Sequence, residues 1–193
     1  MQYAQPPQGY PPPQKTSGST ILVIVVVVVL GVVFFIGIMA VLAISGVRKY
    51  LQNAKMVEAT NSVAMIGRSA ASAYDPSDPS TASLCASATE PIPSSLTFVS
   101  GKKYMSSPTD WARDLPSNAG FACLKFDMSY PQYYQYDYKR IGSGAAPGDQ
   151  FHAIAHGDLD GDGVASTFDL TGQITKGGAV AINPTIAETN PTE

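Results

Sequence analysis

Asp158, Asp160 and Asp162 stand at alternate positions in GDLDGDGVASTFD, the stretch whose residue types and spacing best suit a metal ion. Counting Asp158 as the first position, Gly163 is sixth and Val164, offering its carbonyl, is seventh. Ser166 is ninth and Asp169 twelfth. That is the ligand spacing of a calcium loop: hard oxygen donors, with a glycine where the chain must turn sharply. The last ligand is Asp rather than Glu, and both flanks read as strands, so the feature is a candidate Ca2+-binding hairpin. The same residues also make a plain hairpin connection, because Asp and Gly supply turn geometry without an ion. The sequence leaves both readings open.

No other constellation has the spacing of a catalytic or metal centre. His152 and His156 are four apart and share a face if they lie on a strand, with no cysteine or carboxylate at ligand spacing beside them. The tyrosines between Tyr130 and Tyr138 read as the two faces of one strand, with an aromatic adhesion patch as the alternative. A nucleophile elbow, a phosphate-binding glycine loop and a zinc motif are all missing from the sequence, so the expectation is a protein that is not an enzyme. A net charge of −3 gives no reason to expect a nucleic-acid partner. Cys85 and Cys123 are the only cysteines, which fits one disulfide across an exported domain or, alternatively, two reduced core thiols.

The element that must position all of this is the uncharged run Ile21 to Ile44, ILVIVVVVVLGVVFFIGIMAVLAI. As a helix it spans roughly 36 Å, enough for the hydrocarbon core of a bilayer. Valine and isoleucine are mediocre helix formers in water, but in lipid a lone span satisfies its backbone only as a helix. Gly31 and Gly37 interrupt the run and would let another helix approach closely. Before it, residues 1–20 are rich in Pro, Gln, Gly and Tyr and read as a disordered tail.

Residues 45–75 continue the helix without a break signal, with Val47, Leu51, Ala54 and Val57 at helical spacing, until Asp75-Pro76 stops it. The result is one helix of about 54 residues, half in lipid and half on protein. Residues 76–120 are punctuated by Pro and Gly and read as loop, with Trp111 covering the core. From Phe121 the periodicity becomes two. FACLKFDM, QYYQYDYKRI, FHAIAH and STFDLTGQI predict about four antiparallel strands within 121–182, and residues 183–193 read as a loose tail.

FIGIMAVLAIS (Phe35–Ser45) is similar to the IIGILAAIAIP stretch of type IV pilins and type II secretion pseudopilins. KYLQNAKMVEATNSV follows in the same register, with Tyr50 and Glu58 at that family's usual tyrosine and glutamate. KFDMSYPQYYQYDY and AHGDLDGDGVASTFDLTG resemble the sheet region of pilin-like proteins from delta-class bacteria. The resemblance implies an α+β fold, a long N-terminal helix whose second half packs on a small antiparallel sheet. It also implies a structural role, as an accessory or minor subunit of a type IV pilus or related secretion machine. The partners would be other pilin-like subunits, met through the N-terminal helix.

The N-terminus departs from that pattern. Pilins are cut after a glycine that precedes the apolar run, and a glutamate follows five residues later. In the matching register these places hold Val23 and Val28, and Ser45 replaces the family's helix-kinking proline. A second register makes Gly18 and Ser19 the candidate processing site but puts Val23 at the glutamate. A freed amine would then lie in hydrocarbon without its carboxylate, so the expected protein is uncleaved and tethered more often than polymerised. The alternative function is a membrane-tethered, exported binding module of pilin-derived fold, a calcium-dependent adhesin being one form of it. Lys15 before the span and Arg48, Lys49 and Lys55 after it favour a cytoplasmic C-terminal part if charge is counted alone. The family resemblance and the cysteine pair favour the opposite: a bacterial inner-membrane protein with its N-terminus cytoplasmic and its C-terminal domain periplasmic or at the cell surface.

Overall fold

The computed structural model describes Gly9, residues 17–78 and residues 80–193, and only the backbone of Ser45, Arg48 and Lys49. The expected loose tail over 1–20 therefore falls mostly outside the described residues, and within them the helix already begins at Gly18. The fold is α+β: a long N-terminal helix followed by short helical turns and a small antiparallel sheet. The chain forms two compact units, the first ending at Arg48 and the second covering Lys49–Glu193.

In the first unit, helix α1 (Gly18–Ala73) starts on the carbonyl of Ser17, which accepts from the amides of Thr20 and Ile21 at 2.9 and 3.3 Å. Every side chain from Ile21 to Ile44 is exposed, and Gly18–Ile44 is long and apolar enough to cross a membrane. Valine and isoleucine standing all round a helix with no protein to cover them are what lipid, not water, accommodates.

In the second unit, α1 buries Ala59, Val63, Ile66 and Ala70, a stripe at spacings of four, three and four. This differs from the expected stripe. Leu51 and Val57 remain 52 % and 54 % exposed, and Ala54 is exposed as well. Gly67 lies on the covered side as well and leaves room for a side chain from the sheet. At Gly67 an added Cβ would lie 2.6 Å from Cδ2 of Leu170. The helix ends at Ala73, just before Asp75-Pro76, and the Asp75 carboxylate accepts from the amide and hydroxyl of Ser77 at 2.8 and 2.7 Å.

The sheet consists of β1 (Gln135–Ile141), β2 (Gln150–Gly157), β3 (Ser166–Ile174), β4 (Val180–Ile182) and β5 (Ala187–Thr189). Its order is β1-β2-β3, with β4 and β5 each paired to a different end of β3. Register sets Tyr136 beside Ala155 and Phe168, and Tyr138 beside Ala153 and Leu170. Large residues on β1 and β3 thus flank alanines on β2, and all of them are buried. The outer edge of β1 is not left open. Residues Leu84 to Ile92 run along it, with Ile92 and Tyr136 exchanging both backbone hydrogen bonds at 2.8 Å.

Two expectations are corrected. FACLKFDM is not a strand: Gly120–Leu124 is a helical turn, α3, closed by Lys125 in the left-handed region at φ 52°. Phe121 and Leu124 are buried at a spacing of three, and Phe126 and Met128 follow them inward. So dense an apolar run satisfies either period, and long-range packing chose the helix. The final residues are not all tail either, since Ala187–Thr189 pair with Thr167–Asp169. Within the expected loop region, Pro108–Trp111 forms a further turn, α2, capped by Ser107. Trp111 is buried and packs edge-on to Phe121 and Phe126 at 5.0 and 5.5 Å between centroids. Its Nε1 donates to Ser106 Oγ at 2.8 Å.

The inner face has no room at Gly172, where an added Cβ would lie 2.3 Å from the Phe151 ring. That ring is itself stacked on Tyr138 at 6.0 Å. Gly172→Val is expected to cost about 1–3 kcal/mol through overpacking. The check is urea unfolding of the detergent-solubilised full chain, followed by near-ultraviolet circular dichroism. An unchanged midpoint would contradict this packing.

Candidate functional site

The turn between β2 and β3 brings Asp158, Asp160 and Asp162 together, with carboxylate oxygens all within 4.8 Å of one another. Asp158 is buried, and the other two are exposed. The loop is organised around Asp158. Its carboxylate accepts from Ser100 Oγ at 2.6 Å and from the amides of Gly161 and Gly163 at 2.8 and 3.2 Å. Asp160 and Asp162 each cap the amide two residues on, those of Asp162 and Val164. Burial works to raise the Asp158 carboxyl, but the hydrogen bonds from Ser100, Gly161 and Gly163 outweigh it and hold the group below the usual carboxylate range.

Two further members of the predicted ligand set, Ser166 and Asp169, are engaged elsewhere. Ser166 Oγ donates to the carbonyl of Gly157 at 3.0 Å and is buried. Asp169 lies further along β3, opposite Ile154, and its carboxylate meets His152 Nδ1 at 2.9 Å. A twelfth-position ligand belongs to a loop that leads into a helix, whereas here β3 starts at Ser166 and carries Asp169 away in extended steps. What the geometry shows is a turn capped by its own carboxylates and anchored to Ser100. The amide of Gly101 adds a bond to the Asp158 carbonyl at 2.8 Å. His156 contacts Thr167 Oγ1 at 2.9 Å, and burial keeps its ring below the ordinary histidine range.

Cys85 and Cys123 form a disulfide, with 5.8 Å between their Cα atoms. It ties the segment beside β1 to α3. On α1, Gly31 and Gly37 have nothing within 4 Å of an added Cβ, so each is a notch on a bare apolar surface. Gly18 and Ser19 lie in the exposed first turn of α1. Beyond the span, Tyr50, Leu51 and Val57 remain exposed.

The strongest polar tie between helix and sheet is Glu58, which the sequence marks only through family resemblance. Its Oε1 accepts from the amide of Tyr133 at 2.7 Å and from the hydroxyl of Tyr136 at 3.3 Å. Above it the Tyr133 ring lies 4.6 Å from Lys55 Nζ and 4.7 Å from Lys103 Nζ, within cation–π range. Burial pushes the Glu58 carboxyl up, and the bonds from Tyr133 and Tyr136 with the charge of Lys103 offset this only in part. Burial likewise raises the Tyr136 phenol, helped by the neighbouring Glu58 charge. Partners 75 and 78 residues apart give no local sequence signal. No protein-family model, curated protein or solved structure matches the chain.

Because the folded state raises the Glu58 pKa, this carboxyl favours folding most below its unfolded value, and that contribution is lost as pH rises through the folded one. Glu58→Gln keeps an acceptor without the buried charge. It is expected to flatten the loss of stability as pH rises from mildly acidic to neutral. Glu58→Ala strands the Tyr133 amide and the Tyr136 hydroxyl and is expected to cost about 1–3 kcal/mol at all pH values. Denaturant titrations of the three proteins at several pH values check this, and parallel pH profiles for parent and Glu58→Gln would contradict it.

Proposed function

We propose that this chain is a non-enzymatic, pilin-like structural protein, an accessory or minor subunit of a type IV pilus or related secretion machine. The observation that carries the reading is α1. One helix is apolar on all sides over Gly18–Ile44 and buries one stripe, Ala59, Val63, Ile66 and Ala70, in the core of the Lys49–Glu193 unit with its antiparallel sheet. Support also comes from the resemblance of Phe35–Ser45 and the stretch after it to pilins. Glu58, at the family's usual glutamate, bonds to the sheet-side backbone. In this reading the N-terminus is cytoplasmic, and the sheet with its Cys85–Cys123 disulfide faces the periplasm or the cell surface, where disulfides persist. Neighbouring subunits pack on exposed surface of α1, at Gly31 and Gly37 in the apolar half and at Leu51 and Val57 beyond it.

With Val at the glutamate position in either register, the subunit keeps its N-terminal residues and is held in the bilayer. A photo-crosslinker at Val57 is expected to join the chain to another helix-anchored subunit in native membranes, while one at Glu188 is not. Absence of adducts at Val57 would favour a tethered module that does not assemble. Intact mass spectrometry of the membrane-extracted protein is expected to show residues 1–18 retained, and a mature form starting at Ser19 would mean an ordinary processed pilin.

A further inference from the structure

The Lys49–Glu193 unit contains an open cleft of about 1000 Å³ beside the disulfide, between the last turns of α1 and the segment leading from Ser80 to Ala86. We propose that this cleft binds a soluble ligand carrying two or more phosphate groups. It is lined by three cations, Arg68, Lys125 and Arg140, against a single carboxylate, Asp75. None of the three cations has a carboxylate partner within 4.0 Å among the described residues. Asp75 is occupied by Ser77, whose hydroxyl and amide hold its carboxyl below the usual range.

Arg140 is built into place. Its Nη1 donates to the Leu84 carbonyl at 3.0 Å, and its backbone amide donates to Ser87 Oγ at 3.0 Å. Gly144, in the left-handed region at φ 88°, lies flat against the side chain, where an added Cβ would come 2.6 Å from Cδ. One nitrogen is thus spent on orientation, and the remaining guanidinium donors are left for a ligand. Lys125 is held at the end of α3 by its own left-handed φ and by the amide bond to the Ala122 carbonyl at 3.2 Å. Hydroxyls of Ser69, Ser72 and Ser83 and the amide of Asn118 complete the wall.

The lining therefore sets three cationic donors against one carboxylate, and it contains no aromatic side chain for a sugar or base to stack on. A phosphate, acceptor-only and carrying about −1.5 to −2 charges, complements such a wall better than a carboxylate does. Three cations spread around a cleft of this size suit several phosphates rather than one. The inference stands on the cleft alone and is independent of the pilin-like reading.

The test is calorimetric titration of the full chain in detergent micelles with tripolyphosphate, inorganic phosphate and citrate. Tripolyphosphate is expected to bind most tightly, with affinity falling as salt rises. Arg68→Gln, on the exposed face of α1, and Arg140→Gln are each expected to weaken it about tenfold, while Lys176→Gln, outside the cleft lining, changes nothing. Arg68→Gln removes no structural bond, so its effect reads the cleft even where Arg140→Gln disturbs folding. Equal loss in Lys176→Gln, citrate binding as tightly as tripolyphosphate, or no binding at all would overturn the proposal.

Discussion

The rest of the second unit depends on the close approach of one helix face to the inner face of a sheet. Ala59, Val63, Ile66 and Ala70 are fully buried there, and an added Cβ at Gly67 would meet Leu170 Cδ2 at 2.6 Å. The sheet answers with bulk from its own side: Tyr134, Tyr136, Tyr138, Phe151 and Phe168 are all fully buried. The helix contributes smoothness and the sheet contributes volume. Packing at interior density then requires the small positions on β2 and β3, where alanine and glycine stand between the rings.

Polar chemistry follows from that apolar contact. Glu58 lies at the margin of the helix–sheet contact, where a carboxylate can reach the Tyr133 amide and the Tyr136 hydroxyl while keeping part of its surface wet. The Asp158 loop lies at the same end of the strands, where the start of β1 faces the end of β2. There a buried carboxylate gathers amides and a hydroxyl from a segment 58 residues away. The disulfide and the backbone pairing of Ile92 with Tyr136 fasten the irregular region to the sheet, so a segment poor in regular structure is still rigidly placed. That rigidity is what orients Arg140 in its cleft.

The apolar first half of α1, long enough to cross a membrane, was legible because it is two dozen uncharged residues in a row. Strands β2 and β3 were legible because each has one face buried, so alternation survives in the sequence, whereas β1 is buried on both faces over its first four residues. The phase of α1 beyond the span was not legible. Apolar residues stand on several of its sides, and the burial of Ala59, Val63, Ile66 and Ala70 shows which side is covered. FACL misled because its residues are apolar almost throughout and carry no period. Asp169 misled because loop spacing assumes the chain keeps turning, and a strand begins at Ser166 instead. Glu58 acquires its role from Tyr133 and Tyr136, far along the chain, and a single sequence read locally is silent on that.

The central claim is that one helix does two jobs, solvated by lipid over Gly18–Ile44 and sealed by the sheet over Ala59–Ala70. Native-state hydrogen exchange on the full chain in lipid nanodiscs tests it most directly. The account predicts that the Ala59–Ala70 amides open together with β1, β2 and β3 in one cooperative unit, while those of Ile21–Ile44 stay protected independently of that opening. Exchange of Ala59–Ala70 while the strands remain protected would contradict it.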